Sequence, residues 1–149
     1  MIEELASKYH EVVGINLMRN FGQHNALLAG IRHANFEICV TIDDDLQHNP
    51  ASLPILLDKL NEGFDVVYGA PIDEKHSLFR HLASVITKIS LATVMNASSA
   101  RHVSAFRIFY THLRDAFDQY SNPAVSIDVL LSWGSSNFGY VEIQHEKRA

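Results

Sequence analysis

Phe36-Glu37-Ile38-Cys39-Val40-Thr41-Ile42-Asp43-Asp44-Asp45-Leu46-Gln47-His48-Asn49-Pro50 is the stretch on which the reading of this chain turns. Its first seven residues are rich in β-branched and apolar types and predict a strand over 36–42. The strand runs straight into three aspartates, and Pro50 then opens a helix expected over 51–61 and stopped at Gly63. Adjacent carboxylates repel one another and cost stability unless a cation or solvent screens them. In extended chain, residues i and i+2 point to the same side, so Asp43 and Asp45 can face one ion while Asp44 faces elsewhere. Gln47 continues that alternation and adds a neutral oxygen. Oxygen-only donors suit Mg²⁺ or Mn²⁺. As a protein cage the set is incomplete, which is what a metal shared with a diphosphate requires. The plainer alternative is a solvated acidic turn capping the next helix, with Asn49 as N-cap.

Working outward, Val12 to Met18 is a short apolar strand candidate. Arg19-Asn20-Phe21-Gly22-Gln23-His24 follows it and opens a helix over 23–34, with apolar spacing at Ala26, Leu27, Gly30 and Ile31. Gly22 allows a tight turn, and the helix N-terminus offers free N–H groups to an anion. A simple turn with a surface Arg19 is the competing reading. Residues 1–9 look like the end of a helix. Downstream, the pattern predicts a strand over 64–68, a long helix over 77–95, a polar loop over 96–102 and a weak strand over 105–110. Helices over 113–120 and 126–133 and a last strand over 140–144 follow. Alternation of this kind predicts an α/β fold with a mostly parallel sheet covered on both faces. Ligands in such folds sit at the carboxyl ends of strands, where the aspartates lie.

The 149 residues suit a single domain over 1–149, and 47% apolar content is enough for a core. The net charge of -5 argues against nucleic acid as a partner. Cys39 is the one cysteine, so no internal disulfide forms, and a buried, inert thiol in a reducing compartment is expected. The apolar-rich segment 78–95 is broken by Arg80, His81 and Lys88, and reads as amphipathic rather than membrane-spanning. No signal peptide is visible, so a soluble, cytoplasmic location is expected. The nine histidines lack zinc-site spacing. Trp133, Phe138 and Tyr140 read as core aromatics before they read as a sugar platform.

The two segments Asn20-Phe21-Gly22-Gln23-His24-Asn25-Ala26 and Thr41 to Pro50 together resemble family 2 glycosyltransferases. The similar subgroup is that of dolichyl-phosphate-mannose-synthase-like enzymes and bacterial polyprenyl-phosphate sugar transferases. These carry Asn-x-Gly-x-x-x-Ala at a helix start and Asp-x-Asp-Leu-Gln-x-x-Pro as a metal motif. The resemblance extends through Phe64 to Gly69, Arg80, Ser84, Phe106-Arg107 and His145 to Arg148. It implies the α/β nucleotide-diphospho-sugar transferase (GT-A, Rossmann-like) fold. It further implies that Asp43, Asp45 and Gln47 bind Mg²⁺ or Mn²⁺ with the diphosphate of a nucleotide-sugar donor. Asp45 would then belong to the catalytic centre, and Asn20, Gly22 and Asp44 to the donor side. Arg107 and Arg148 would lie near donor or acceptor phosphates. The implied chemistry is inverting sugar transfer.

A polyprenyl-phosphate acceptor is already an anion and needs only positioning and charge compensation. A saccharide hydroxyl would need a general base. Asp128, in Ser126-Ile127-Asp128, is the candidate, with an ordinary acid in a helix's first turn as the alternative.

The sequence also departs from the family's pattern. The Pro-x-Tyr-Asn-Glu segment and the Asp-Asp-Gly-Ser strand end are absent. Gly69-Ala70-Pro71 stands where relatives have Gly-Ser-Arg. The acidic residue shortly before Phe-Arg is replaced around His102, and the Gly-x-Ser-x-Tyr and membrane helices after the final arginine are missing. The expectation is a catalytic-domain fragment, incomplete at its N-terminus and shortened at both ends. A non-catalytic remnant acting as a binding module and an aspartyl phosphotransferase are the remaining alternatives. An exposed sheet edge predicts self-association into a homo-oligomer.

Overall fold

The computed structural model describes residues 2–72 and 102–144. In chain order the elements are α1 (Ile2–Lys8), α2 (Gln23–His33), β1 (Ile38–Thr41), a 3₁₀ turn (Pro50–Ser52), α3 (Leu53–Asn61) and β2 (Val66–Pro71). After these come β3 (Arg107–Tyr110), a 3₁₀ helix (Thr111–Phe117), α4 (Ile127–Gly134) and β4 (Phe138–Ile143). The four strands form one sheet in the order β1-β3-β2-β4.

β1 and β2 both pair antiparallel with β3, and β2 pairs parallel with β4. Strands β1, β2 and β4 therefore run the same way, as the alternating pattern predicts. The expectation of a mostly parallel sheet is corrected at β3, which enters between β1 and β2 reversed. Strand direction depends on how the preceding connection returns to the sheet, and a local apolar pattern holds no record of it.

The pleat divides the core in two. Val66, Tyr68, Phe109 and Phe138 face Leu28, Ile31, Leu130 and Leu131 from α2 and α4. Val67, Ile108 and Ile143 face Leu56 and Leu60 from α3, joined by Phe106. Helices thus cover both faces, and β3, weak by its sequence, is buried through Phe106, Arg107, Ile108 and Phe109.

Two other expectations change. Residues 12–18 form no strand, and Val13 and Met18 are 72% and 100% exposed. An apolar run becomes a strand only where a neighbour takes up its backbone hydrogen bonds. The helix expected over 113–120 is a tight 3₁₀ helix over Thr111–Phe117. The helix over 77–95, most of the loop over 96–102, and Arg80, Ser84, His145 and Arg148 lie outside the described residues.

Candidate functional site

Register brings the site together. Thr41 pairs with Arg107, Arg107 with Tyr68, and Tyr68 with Tyr140, so one cross-strand row links the carboxyl end of β1 to the middle of β2 and β4. Thr41 Oγ1 donates to the Ala105 carbonyl at 2.7 Å, fixing the end of β1 against the approach to β3. The aspartates begin two residues beyond that row.

Their side chains alternate. Asp43, Asp45 and Gln47 are half-buried, whereas Asp44 and Leu46 are exposed. Leu46 adopts a left-handed backbone with φ 61, which an L side chain rarely takes and which turns the chain sharply. Asp45 Oδ1 stabilises this bend by accepting the Gln47 N–H at 3.1 Å. Beyond it His48 is buried, its ring 5.2 Å from that of Phe106, and anchors the loop to the core. Asn49 Oδ1 accepts the Ala51 N–H at 2.9 Å, so the capping role read for Asn49 coexists with the aspartate site.

A second loop meets the first. Gly22, with φ 84 and ψ 163, occupies backbone space that is essentially reserved for glycine. Asn20 Oδ1 accepts the Gly22 N–H at 2.8 Å and holds the turn. The next three residues, in the first turn of α2, then reach three places. Gln23 Nε2 donates to Asp43 Oδ1 at 2.5 Å. His24 Nδ1 accepts the N–H of Ile127, the first residue of α4, at 3.4 Å. Asn25 Nδ2 donates to the Pro123 carbonyl at 3.1 Å. Sequence reasoning singled out Asn20 and Gly22 and passed over Gln23 and His24. The available signal was their place directly after Gly22, where the first turn of α2 faces the strand ends.

Beneath the rim lies a buried charge pair. Arg107 Nη1 donates to Asp128 Oδ1, and Tyr68 donates its hydroxyl to the same oxygen at 2.9 Å. Arg107 is 3% and Asp128 5% exposed, and Arg107 Nε is buried without a partner among the described residues. Burial, and then the neighbouring Asp128 carboxylate, push the Tyr68 phenol well above its usual range. Asp128 does stand in the first turn of α4, but it is an interior acid matched to a guanidinium rather than an ordinary surface one. Arg107 and Asp128 were read separately, as a phosphate ligand and as a base; the fold joins them.

His102 stacks on Tyr140 with ring centres 3.6 Å apart, at the β4 end of the row. Phe138 stacks on Tyr68 within the core, and Trp133 is exposed with Tyr120 at its edge. Gly69 has a packing reason to be glycine, since a Cβ there would lie 2.8 Å from the Phe106 ring. Cys39 is half-buried, and burial raises its thiol to about 11, which fits the expected inert thiol.

Two carboxylates and an amide at one rim fit a hard divalent cation by donor chemistry. Among the described residues no group of three His, Cys, Asp or Glu side chains could hold a metal unaided.

The sequence model of glycosyl transferase family 2 matches residues 1–119. Curated relatives with the same name extend the similarity along nearly the whole chain. The undecaprenyl-phosphate 4-deoxy-4-formamido-L-arabinose transferase of Proteus mirabilis is 30% identical over 149 residues, covering 99% of this chain and 46% of that protein. The one from Photorhabdus laumondii is 27% identical over 148 residues, with 99% and 46% covered. That from Klebsiella pneumoniae is likewise 27% identical over 148 residues, with 99% and 45% covered. The chain thus spans about 46% of the length of these relatives.

Proposed function

We propose, for a chain that belongs to glycosyl transferase family 2, that it supplies the metal and diphosphate site for transfer of a sugar from a nucleotide-diphosphate donor to a polyprenyl phosphate. The family's fold is the nucleotide-diphospho-sugar transferase (GT-A) fold, and the mixed four-stranded sheet between helices is its α/β core here. In this reading residues 1–149 act as one catalytic-domain unit at the cytoplasmic face of a membrane. Among the described residues no helix is long and apolar enough to cross one.

The observation that carries the proposal is the alternation at the end of β1. Asp43, Asp45 and Gln47 are half-buried while Asp44 and Leu46 are exposed, just past the end of β1, where α/β folds bind ligands. These three would hold Mg²⁺ or Mn²⁺. Bound there, the cation would offset the charge that grows on the departing diphosphate. Asp45 orders the bend through its own turn, so its carboxylate is the one we assign to the catalytic centre. Asn20 and Gly22 shape the turn that opens α2 on the donor side. Asp44, exposed, is assigned to donor contact and Arg148 to phosphate charge, whereas Arg107, 3% exposed and paired with Asp128, is assigned to holding that carboxylate rather than to a phosphate.

The engagement of Asp128 with Arg107 and Tyr68 favours the phosphate acceptor. A base must offer a lone pair to an incoming hydroxyl, and Asp128 is 5% exposed with Oδ1 accepting twice. A phosphate acceptor arrives as its own nucleophile, and transfer with inversion then needs only alignment and charge compensation. The names of the relatives, which are undecaprenyl-phosphate transferases, agree with this choice. Transfer to a saccharide would instead depend on Asp128.

Thermal unfolding with Mn²⁺ and individual nucleoside diphosphates tests the proposal. One diphosphate should raise the midpoint only when Mn²⁺ is present; ligand at a hundred times its Kd stabilises by about 2.7 kcal/mol. Asp45→Asn should abolish the rise. A wild-type midpoint that no diphosphate moves in the presence of Mn²⁺ rejects the reading in favour of a non-catalytic binding module.

A further inference from the structure

We infer that Gln23 is a positioning residue for the metal site, acting through Asp43; the inference rests on the proposed metal reading and extends it. Gln23 Nε2 donates to Asp43 Oδ1 across 20 residues of chain at 2.5 Å. A carboxylate fixed through one oxygen presents the other in a set direction, and donors behind metal ligands orient them in this way. The donor type matters as well. A lysine or arginine here would cancel the charge that attracts the cation, whereas a neutral amide holds the carboxylate and leaves its charge intact.

The base of Gln23 is itself held. Gly22 turns the chain immediately before it, with φ 84, and Asn20 Oδ1 accepts the Gly22 N–H. His24 and Asn25 tie the same turn to Ile127 and Pro123. The first turn of α2 is thus fastened to the α4 side of the molecule while Gln23 reaches the aspartates. One turn sets the distance between the aspartate cluster and the helix that carries Asp128.

Gln23 is exposed, and exposed side-chain hydrogen bonds contribute little to folding. A structural role and a positioning role therefore predict different results. The test is titration of the full 149-residue chain with Mn²⁺ in the presence of the nucleoside diphosphate that raises its melting midpoint, reading protein-bound Mn²⁺ by water-proton relaxation, beside a thermal melt without metal. Gln23→Met keeps the length of the side chain and removes the donor. It should weaken Mn²⁺ binding about tenfold, the low end of what loss of such a supporting hydrogen bond costs, with the metal-free melt unchanged. Asn25→Ala, which loosens the same turn but leaves the Gln23 donor to Asp43 in place, should weaken Mn²⁺ binding less than Gln23→Met does. Wild-type affinity in Gln23→Met, or an equal loss in Asn25→Ala, overturns the inference while Asp45→Asn still reports on the metal reading. If no nucleoside diphosphate supports Mn²⁺ binding by the wild-type chain up to millimolar concentration, the metal reading itself falls and takes the role of Gln23 with it.

Discussion

Tyr68, Arg107 and Asp128 show how a single residue's meaning changes on folding. In sequence Tyr68 ends an apolar run, Arg107 follows Phe106, and Asp128 lies in a helix start 60 residues beyond Tyr68. Folded, they share one buried oxygen of Asp128. Removing one partner of a buried pair strands the other charge in the interior, so Asp128→Asn should cost roughly 3–5 kcal/mol in urea unfolding. A cost below about 1 kcal/mol would show that water reaches Arg107. Tyr68 adds a pH dependence whose sign follows from burial. The folded phenol titrates well above its unfolded value, so its contribution is complete below about pH 10 and is lost as pH rises from there toward the folded value. Tyr68→Phe should lose about 1 kcal/mol at neutral pH, the net value of one hydrogen bond. It should also fall less steeply than wild type above about pH 10; parallel alkaline profiles in denaturant titrations would contradict the assignment. Nothing in the local sequence announces this cluster, because its members meet only through sheet register and the docking of α4.

At the scale of elements, helix ends supply much of the order. Arg114 Nη1 donates to the carbonyls of Ile31, Arg32 and Ala34, at the C-terminus of α2, including 3.2 Å to Ile31 and 2.5 Å to Ala34. Arg32 Nη2 answers by donating to the Asp118 and Tyr120 carbonyls, at 2.9 and 2.6 Å, beyond the end of the 3₁₀ helix. Each arginine caps the element that carries the other, and each cation meets the negative end of a helix. Arg114→Ala should therefore destabilise by about 1–2 kcal/mol, and Arg114→Lys should recover much of this, because all three bonds come from the single Nη1 and an ammonium also carries three donors. Equal stability of the two variants in chemical denaturation would refute the capping argument. Helix α2 was legible from its apolar spacing, and α3 from Pro50 and Gly63. The 3₁₀ character of Thr111–Phe117 was not legible, because it follows from packing against α4 and α2 rather than from residue preference.

Across the whole molecule, two apolar clusters sandwich the sheet, and among the described residues no strand pairs with the outer edge of β1. Phe36, Val40, Ile42, Val13 and Met18 are exposed near the start of the chain and along or beside β1. A free edge strand with apolar neighbours is a template for pairing. The expected self-association predicts a weight-average mass in sedimentation velocity that rises with concentration, and Val40→Lys on β1 should lower it. A monomer mass independent of concentration would end that expectation. By itself the sequence determined the α/β class, the main helices, two strands read over 36–42 and 64–68 and found at 38–41 and 66–71, and the aspartates just past the end of β1. All of these follow from periodicity and neighbouring residues. Only the tertiary structure decided that β3 runs reversed, that Val12 to Met18 is no strand, that Asp128 is matched to Arg107, and that Gln23 reaches Asp43. Those facts join residues far apart in the chain, and such contacts exist only once the sheet has chosen its register and the helices have docked upon it.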